Sequence, residues 1–130
     1  MIHMFTVYKL EVGVQIPIQY LPGTEGETFV LGEALSVSAG ALTKCAADAK
    51  PEYIAVGAAS DLGEVPVVAV DDHVQFMAHL SEAGAELKLG DKVTISADGL
   101  CVTATTGGKA KILAVHDAEI GGKAIVKFVA

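Results

Sequence analysis

One stretch constrains this chain more than any other. In Val93-Thr-Ile-Ser-Ala-Asp-Gly-Leu-Cys-Val-Thr-Ala104, two alternating apolar–polar runs flank Asp98-Gly99. An Asp-Gly pair supports a two-residue type I′ turn, because that turn needs positive φ at both positions. Closing it pairs Ala97 with Leu100, Ile95 with Val102 and Val93 with Ala104, and puts all six on one buried face. Thr94, Ser96, Cys101 and Thr103 take the other face.

The rest of the chain repeats this rhythm. Turn signals recur roughly every ten residues, the spacing of an all-β sandwich or barrel. Gly107-Gly108 leads into a strand over Ala110–Val115, and Gly121-Gly122 into another over Ala124–Val129, which read as consecutive antiparallel strands. Val74–Leu80 alternates with Val74, Phe76, Ala78 and Leu80 on one face. Tyr53–Gly57 and Pro66–Val70 predict two short strands, while Phe29–Val37 and Ala41–Lys44 flank a turn at Ala39-Gly40. Glycine or proline limits Ala46–Ala49 and Ser81–Glu86 to a helical turn or so each. The fold class is therefore all-β: a small antiparallel β-barrel or sandwich with short hairpins, a β-clip-like arrangement included.

No linker or low-complexity stretch divides the 130 residues, a single-domain length. Residues 23–130 form the β-rich domain, preceded by residues 1–22 as an N-terminal arm or edge strands. Within that segment Val12, Val14, Ile16 and Ile18 alternate with Gly13, Gln15 and Pro17. Such a pattern makes one or two edge strands, or an arm that adds a strand to a partner. These four are the candidate partner-binding residues.

Composition narrows the function. There is no Arg, Trp or Asn, and the formal net charge is -7. Without the guanidinium fork, and with that charge, the chain is expected to repel nucleic acid. An acidic surface suits docking onto a basic patch of another protein. No apolar run is long enough to span a bilayer, and the start lacks a signal-peptide pattern, so neither membrane insertion nor secretion is expected. Cys45 and Cys101 have no metal-ligand spacing and are expected as two thiols. A mean hydropathy of +0.48 is high for a small monomer and predicts apolar surface covered by partners.

Groups capable of chemistry are scattered. The histidines are His3, His73, His79 and His116. Asp71-Asp72-His73 and His116-Asp117 contain plausible ligands, but a metal site needs three or four groups converging in space. A metal enzyme built on His73, His79 and His116 is the least favoured reading. The plainer one makes them solvated strand-end residues, with His79 on an outer face. Asp71/Asp72 and Glu25/Glu27 are acid pairs in turn-rich sequence. Cys101 falls mid-strand, a poor place for a nucleophile. Cys45 follows Lys44, which would lower its pKa, but a small near-surface residue is the favoured account. Gly107-Gly108-Lys109 lacks the spacing of a phosphate loop. No catalytic, cofactor or metal residue is assigned, and the chain reads as a non-enzyme. The few aromatics (Phe5, Tyr8, Tyr20, Phe29, Tyr53, Phe76 and Phe128) make a weak ligand platform. A small β-barrel ligand- or carbohydrate-binding module is the alternative function.

Several segments together carry a resemblance. Leu31-Gly-Glu-Ala-Leu-Ser-Val-Ser-Ala-Gly-Ala-Leu-Thr-Lys-Cys45 is followed by Pro51-Glu-Tyr-Ile-Ala-Val-Gly57, Val67–Val70 and Val74–Leu80. Leu89-Gly-Asp-Lys-Val-Thr-Ile-Ser-Ala-Asp-Gly-Leu-Cys101 comes next, and Gly122-Lys-Ala-Ile-Val-Lys-Phe128 closes the series. This order, over roughly residues 30–130, resembles the capsid decoration (cement) proteins of tailed bacteriophages and prophages. The resemblance implies a compact β-rich domain, often trimeric, on the outer surface of the virion. It implies binding to the phage major capsid protein after shell expansion, with the protein made in the host bacterial cytoplasm. In some members an N-terminal segment orders on the capsid as an added strand, a part that Met1–Tyr20 suits. No cofactor, nucleic acid or membrane partner is implied.

Overall fold

The computed structural model describes residues 4–11 and 17–130. Short alternating runs separated by glycine-bearing turns become eleven strands: β1 (Thr6–Leu10), β2 (Gln19–Pro22), β3 (Ala34–Ser38), β4 (Ala41–Lys44), β5 (Tyr53–Ala55), β6 (Glu64–Ala69), β7 (Val74–His79), β8 (Lys92–Ile95), β9 (Val102–Thr106), β10 (Ala110–Val115) and β11 (Lys123–Phe128). They form a six-stranded sheet, ordered β1-β7-β11-β10-β8-β9, and a five-stranded sheet, ordered β2-β6-β5-β3-β4. Every strand pairing is antiparallel. The architecture is sandwich-like and not a closed barrel. Among the described residues there is no helix, and the segments 46–49 and 81–86 are turns and bends.

The main core lies between the sheets. Val74, Phe76, Ala78 and Leu80 share its face as the alternation predicts, with Ala124, Val126, Phe128, Ile112, Val93, Ile95 and Val102 beside them. Ala34, Ile54 and Val68 meet them from the five-stranded sheet. A second cluster, made of Phe29, Leu35, Leu42, Ala55, Val65 and Val67, covers the opposite face of that sheet. Adjacent residues of β3, β5 and β6 (Ala34 and Leu35, Ile54 and Ala55, Val68 and Val67) are therefore buried on opposite faces, the pattern of strands covered on two sides.

The predicted hairpin forms, with a different turn. Ile95 pairs with Val102 as expected, but Val93 pairs with Thr106 rather than Ala104 across an irregularity. Only Gly99 takes positive φ (74°), so Asp98-Gly99 is not a type I′ turn. The Asp98 carboxylate instead accepts the Leu100 N–H and the Ser96 hydroxyl, and the Gly99 N–H donates to the Ser96 carbonyl. This local side-chain bonding competes with the tighter turn. The Gly99 carbonyl accepts the Ala34 N–H, which ties the loop to the other sheet. As a result Ala97 is exposed, Leu100 and Ala104 are only half-buried, and Cys101 is buried rather than outward-facing. The type I′ geometry appears at Ala39-Gly40, with φ of 52° and 81°, between paired Ser38 and Ala41.

A second correction concerns strand order. β9 and β10 are consecutive in sequence, but β8 lies between them in the sheet. The connecting Gly107-Gly108 therefore passes around β8 instead of closing a hairpin. A Cβ on Gly108 would collide with the backbone of Val93 and Thr94, so the crossing needs glycine there. Strand starts also differ: β6 begins at Glu64 rather than Pro66, and β3 at Ala34 rather than Phe29, whose ring leaves the sheet to cap the second cluster.

Candidate functional site

Both ends of the N-terminal segment lie on sheet edges. β1 is an edge of the six-stranded sheet and all five of its residues are exposed, Val7, Tyr8 and Leu10 among them. The strand is anchored by Phe5, which is buried edge-on against Phe128 at 5.4 Å and donates its N–H to Gly32 of the opposite layer. β2 is an edge of the five-stranded sheet and exposes Tyr20. Ile18, just before it, is 58% exposed. Of the four candidate partner-binding residues, Ile18 is thus an outward apolar side chain beside a sheet edge, and Val12, Val14 and Ile16 lie outside the described residues.

The histidine trio does not converge. His73 precedes β7 and His79 ends it, a separation of roughly 20 Å at strand rise. His116 follows β10, at the sheet end opposite His73. His79 is not on a solvated outer position as expected: it is only 6% exposed, enclosed where Lys123 of β11 pairs with it. Asp71, Asp72 and His73 do approach one another, with His73 Nδ1 at 2.8 Å from Asp71 Oδ1 and 3.1 Å from Asp72 Oδ1. All three are exposed. The hydrogen bond to Asp71, with both nearby carboxylates, pushes the His73 pKa up. Bonds from the His73 backbone and ring hold Asp71 down.

The cysteines are unsuited to nucleophilic work. Both are thiols rather than a disulfide, and both are buried. Burial pushes each thiol pKa up, against the less favoured reading in which Lys44 lowers that of Cys45. Cys45 Sγ donates to the Ala46 carbonyl at 3.3 Å, so it is an enclosed group and not a near-surface one. Lys44 is engaged elsewhere. Its Nζ lies 2.5 Å from Oε2 of Glu33, a fully buried carboxylate whose Oε1 accepts the Val30 N–H at 3.1 Å. Pairing and bonding are what make such a burial tolerable. No local signal marks this pair, because its members are 11 residues apart and meet only when β3 and β4 fold together.

One cleft of about 470 Å³ opens beside the end of β3, lined by Val37, Lys50, Pro51, Glu52, Tyr53 and Val70. Here β3 and the chain before β5 diverge, and the Glu52 carboxylate accepts the Val37 N–H at 2.6 Å in place of a ladder bond. Tyr53 is the cleft's single aromatic. No protein-family model matches the chain, and no curated protein matches it.

Proposed function

We propose that this chain is a structural decoration protein that binds the outer surface of a tailed-phage head and stabilises the lattice of the major capsid protein. The reading assigns it no catalysis, cofactor or metal, and favours a homotrimer on the virion. The observation that carries it is the row of exposed apolar side chains at two sheet edges: Val7, Tyr8 and Leu10 on β1, with Ile18 and Tyr20 at β2. Edge strands with outward apolar side chains invite strand addition by a partner or a second copy. Exposed Leu62, Leu89 and Ile120 at connecting loops supply further apolar contacts. Many such contacts, each weak, become strong when repeated on a symmetric shell.

Co-sedimentation with purified phage heads tests the reading. Saturable binding to expanded shells and little to unexpanded ones is expected. Because Phe5 belongs to the core, the edge is perturbed by Tyr8→Lys with Tyr20→Lys rather than by truncation. The double variant should lose shell binding and keep its thermal midpoint. Equal binding by variant and parent would overturn the edge as the docking element. The alternative, a ligand- or carbohydrate-binding module, draws support from the cleft at Tyr53. Thermal stabilisation by an oligosaccharide, lost on Tyr53→Ala, would favour it instead.

A further inference from the structure

Charge is segregated in this fold. The six strands of the larger sheet contain five of the nine lysines and no Asp or Glu, in a chain of net charge -7. Register brings four of these lysines into one transverse row. Lys92 of β8 is paired with Lys111 of β10, and Lys111 with Lys127 of β11. Val126 pairs with Phe76, so Lys127 is level with Gln75 of β7, and Gln75 pairs with Lys9 of β1. Directly paired residues share a face, and the flanking Val93, Ala110, Ile112, Val126 and Phe128 all point into the core. The row Lys9–Gln75–Lys127–Lys111–Lys92 therefore crosses the outer face, spanning roughly 19 Å at a strand spacing of about 4.8 Å. Among the described residues the one acid paired with it is Glu11, 3.8 Å from Lys127.

Like charges directly opposite one another oppose sheet formation. Threonine or valine at Lys92 and Lys111 would serve the fold better, so folding does not explain the row. Beside it runs a second, less polar row in the same register, Thr6–Met77–Ile125–Ala114, in which Ile125 is buried and Met77 and Ala114 are half-buried. We infer that this outer face is a docking surface for a carboxylate-rich segment of a partner protein, its acids on the lysine row and its apolar side chains beside Met77 and Ala114. Charge complementarity sets the class of partner. The lysines are point charges without the fork that grips phosphates in two-point fashion. Acids flank the row along the strand direction: Glu11 beside Lys127, Asp71 and Asp72 before β7, and Asp91 before Lys92. The inference rests on strand register and holds whether or not the partner is a capsid subunit.

Fluorescence anisotropy on the full chain tests it, with a short labelled oligoglutamate that includes leucines as one probe and an oligothymidylate of equal charge as the other. Saturable peptide binding is expected, weakening with added salt and falling roughly tenfold in Lys92→Glu with Lys111→Glu. Lys50→Glu, away from the row, should leave it unchanged. Circular dichroism and the thermal midpoint check that the fold survives, and Lys111→Thr with Lys92→Thr provides a milder pair. No peptide binding at low salt, an equal loss in Lys50→Glu, or tighter binding of the oligothymidylate at the same lysines would each overturn the inference. Failure to bind phage heads would leave it standing, because the probe is a free peptide.

Discussion

The two sheets treat their outer faces in opposite ways. The larger sheet buries one face against its partner; on the other, half-buried Lys111, Lys127 and Met77 stand between core-facing neighbours and Ile125 is buried. The smaller sheet is covered twice. Its inner face meets the larger sheet, and its outer face is closed by the connection from β2 to β3, with Phe29 over Leu35, Leu42, Val65 and Val67. Polar bonds fasten that cover: the Thr43 hydroxyl donates to Glu27 at 2.8 Å, and the Thr24 hydroxyl to the Leu42 carbonyl at 2.8 Å. A sheet wrapped by its own chain has spent that face on stability. An outer face that carries unfavourable like-charge pairs keeps a surface for something else.

The sharpest way to break this contrast is to unwrap the smaller sheet. Phe29→Ala removes the central side chain of the cover and should cost about 3–5 kcal/mol, read as a lower denaturant midpoint. If it costs no more than an exposed substitution, the second cluster is not a core. The next largest effect is expected at Lys44→Met, which leaves the buried Glu33 carboxylate without its cation. With Lys44 about half exposed (53%), a loss of roughly 1–3 kcal/mol is expected, partly regained when Glu33→Gln is added. No recovery in the double variant would show that the pair matters by packing alone.

The open face should respond with the opposite sign. Lys111→Thr removes the repulsion toward Lys92 and Lys127 and should stabilise the fold by up to about 1 kcal/mol. Destabilisation would mean that the lysine stems, rather than the charges, cover that face. The smallest effect concerns the exposed turn at Asp71–His73. The His73 pKa is raised, so its pairing contributes fully below the ordinary histidine value and fades as pH rises through the raised midpoint. The Asp71 pKa is lowered, so its contribution is present above the ordinary carboxylate value and lost as pH falls through the depressed one. An NMR titration should show both displacements, and Asp71→Asn should bring the His73 midpoint down. An unmoved His73 midpoint would rule out the pairing.

Much of the strand pattern was legible in local sequence. β4 and β10 have the expected bounds, β7 with Leu80 just after it presents the expected four residues to the core, and Ile95 meets Val102. Period-two alternation is a property of neighbours along the chain, so it survives folding. Turn type was less legible. Asp98-Gly99 has the stronger hairpin composition, yet Ala39-Gly40 makes the type I′ turn, because Asp98 bonds its own loop and Gly99 is held by Ala34. The candidate surfaces were legible only in part. Ile18 carries the apolar signal of an edge and lies at one, whereas nothing local marks Glu33 or His79 as buried.

The opening hairpin divides these contributions cleanly. Sequence by itself determined that Val93–Ala104 would be two strands with Ile95 and Val102 facing each other inward, and that the chain as a whole would be all-β. Tertiary structure alone decided which strands became neighbours. It placed β8 between β9 and β10, wrapped the smaller sheet, and brought Lys9, Lys127, Lys111 and Lys92 from four separate strands into one row. The physical reason is range. Alternation and turn chemistry act over a few residues, while strand order and cross-strand charge rows depend on pairings between distant segments, which only the closing of the shared core selects.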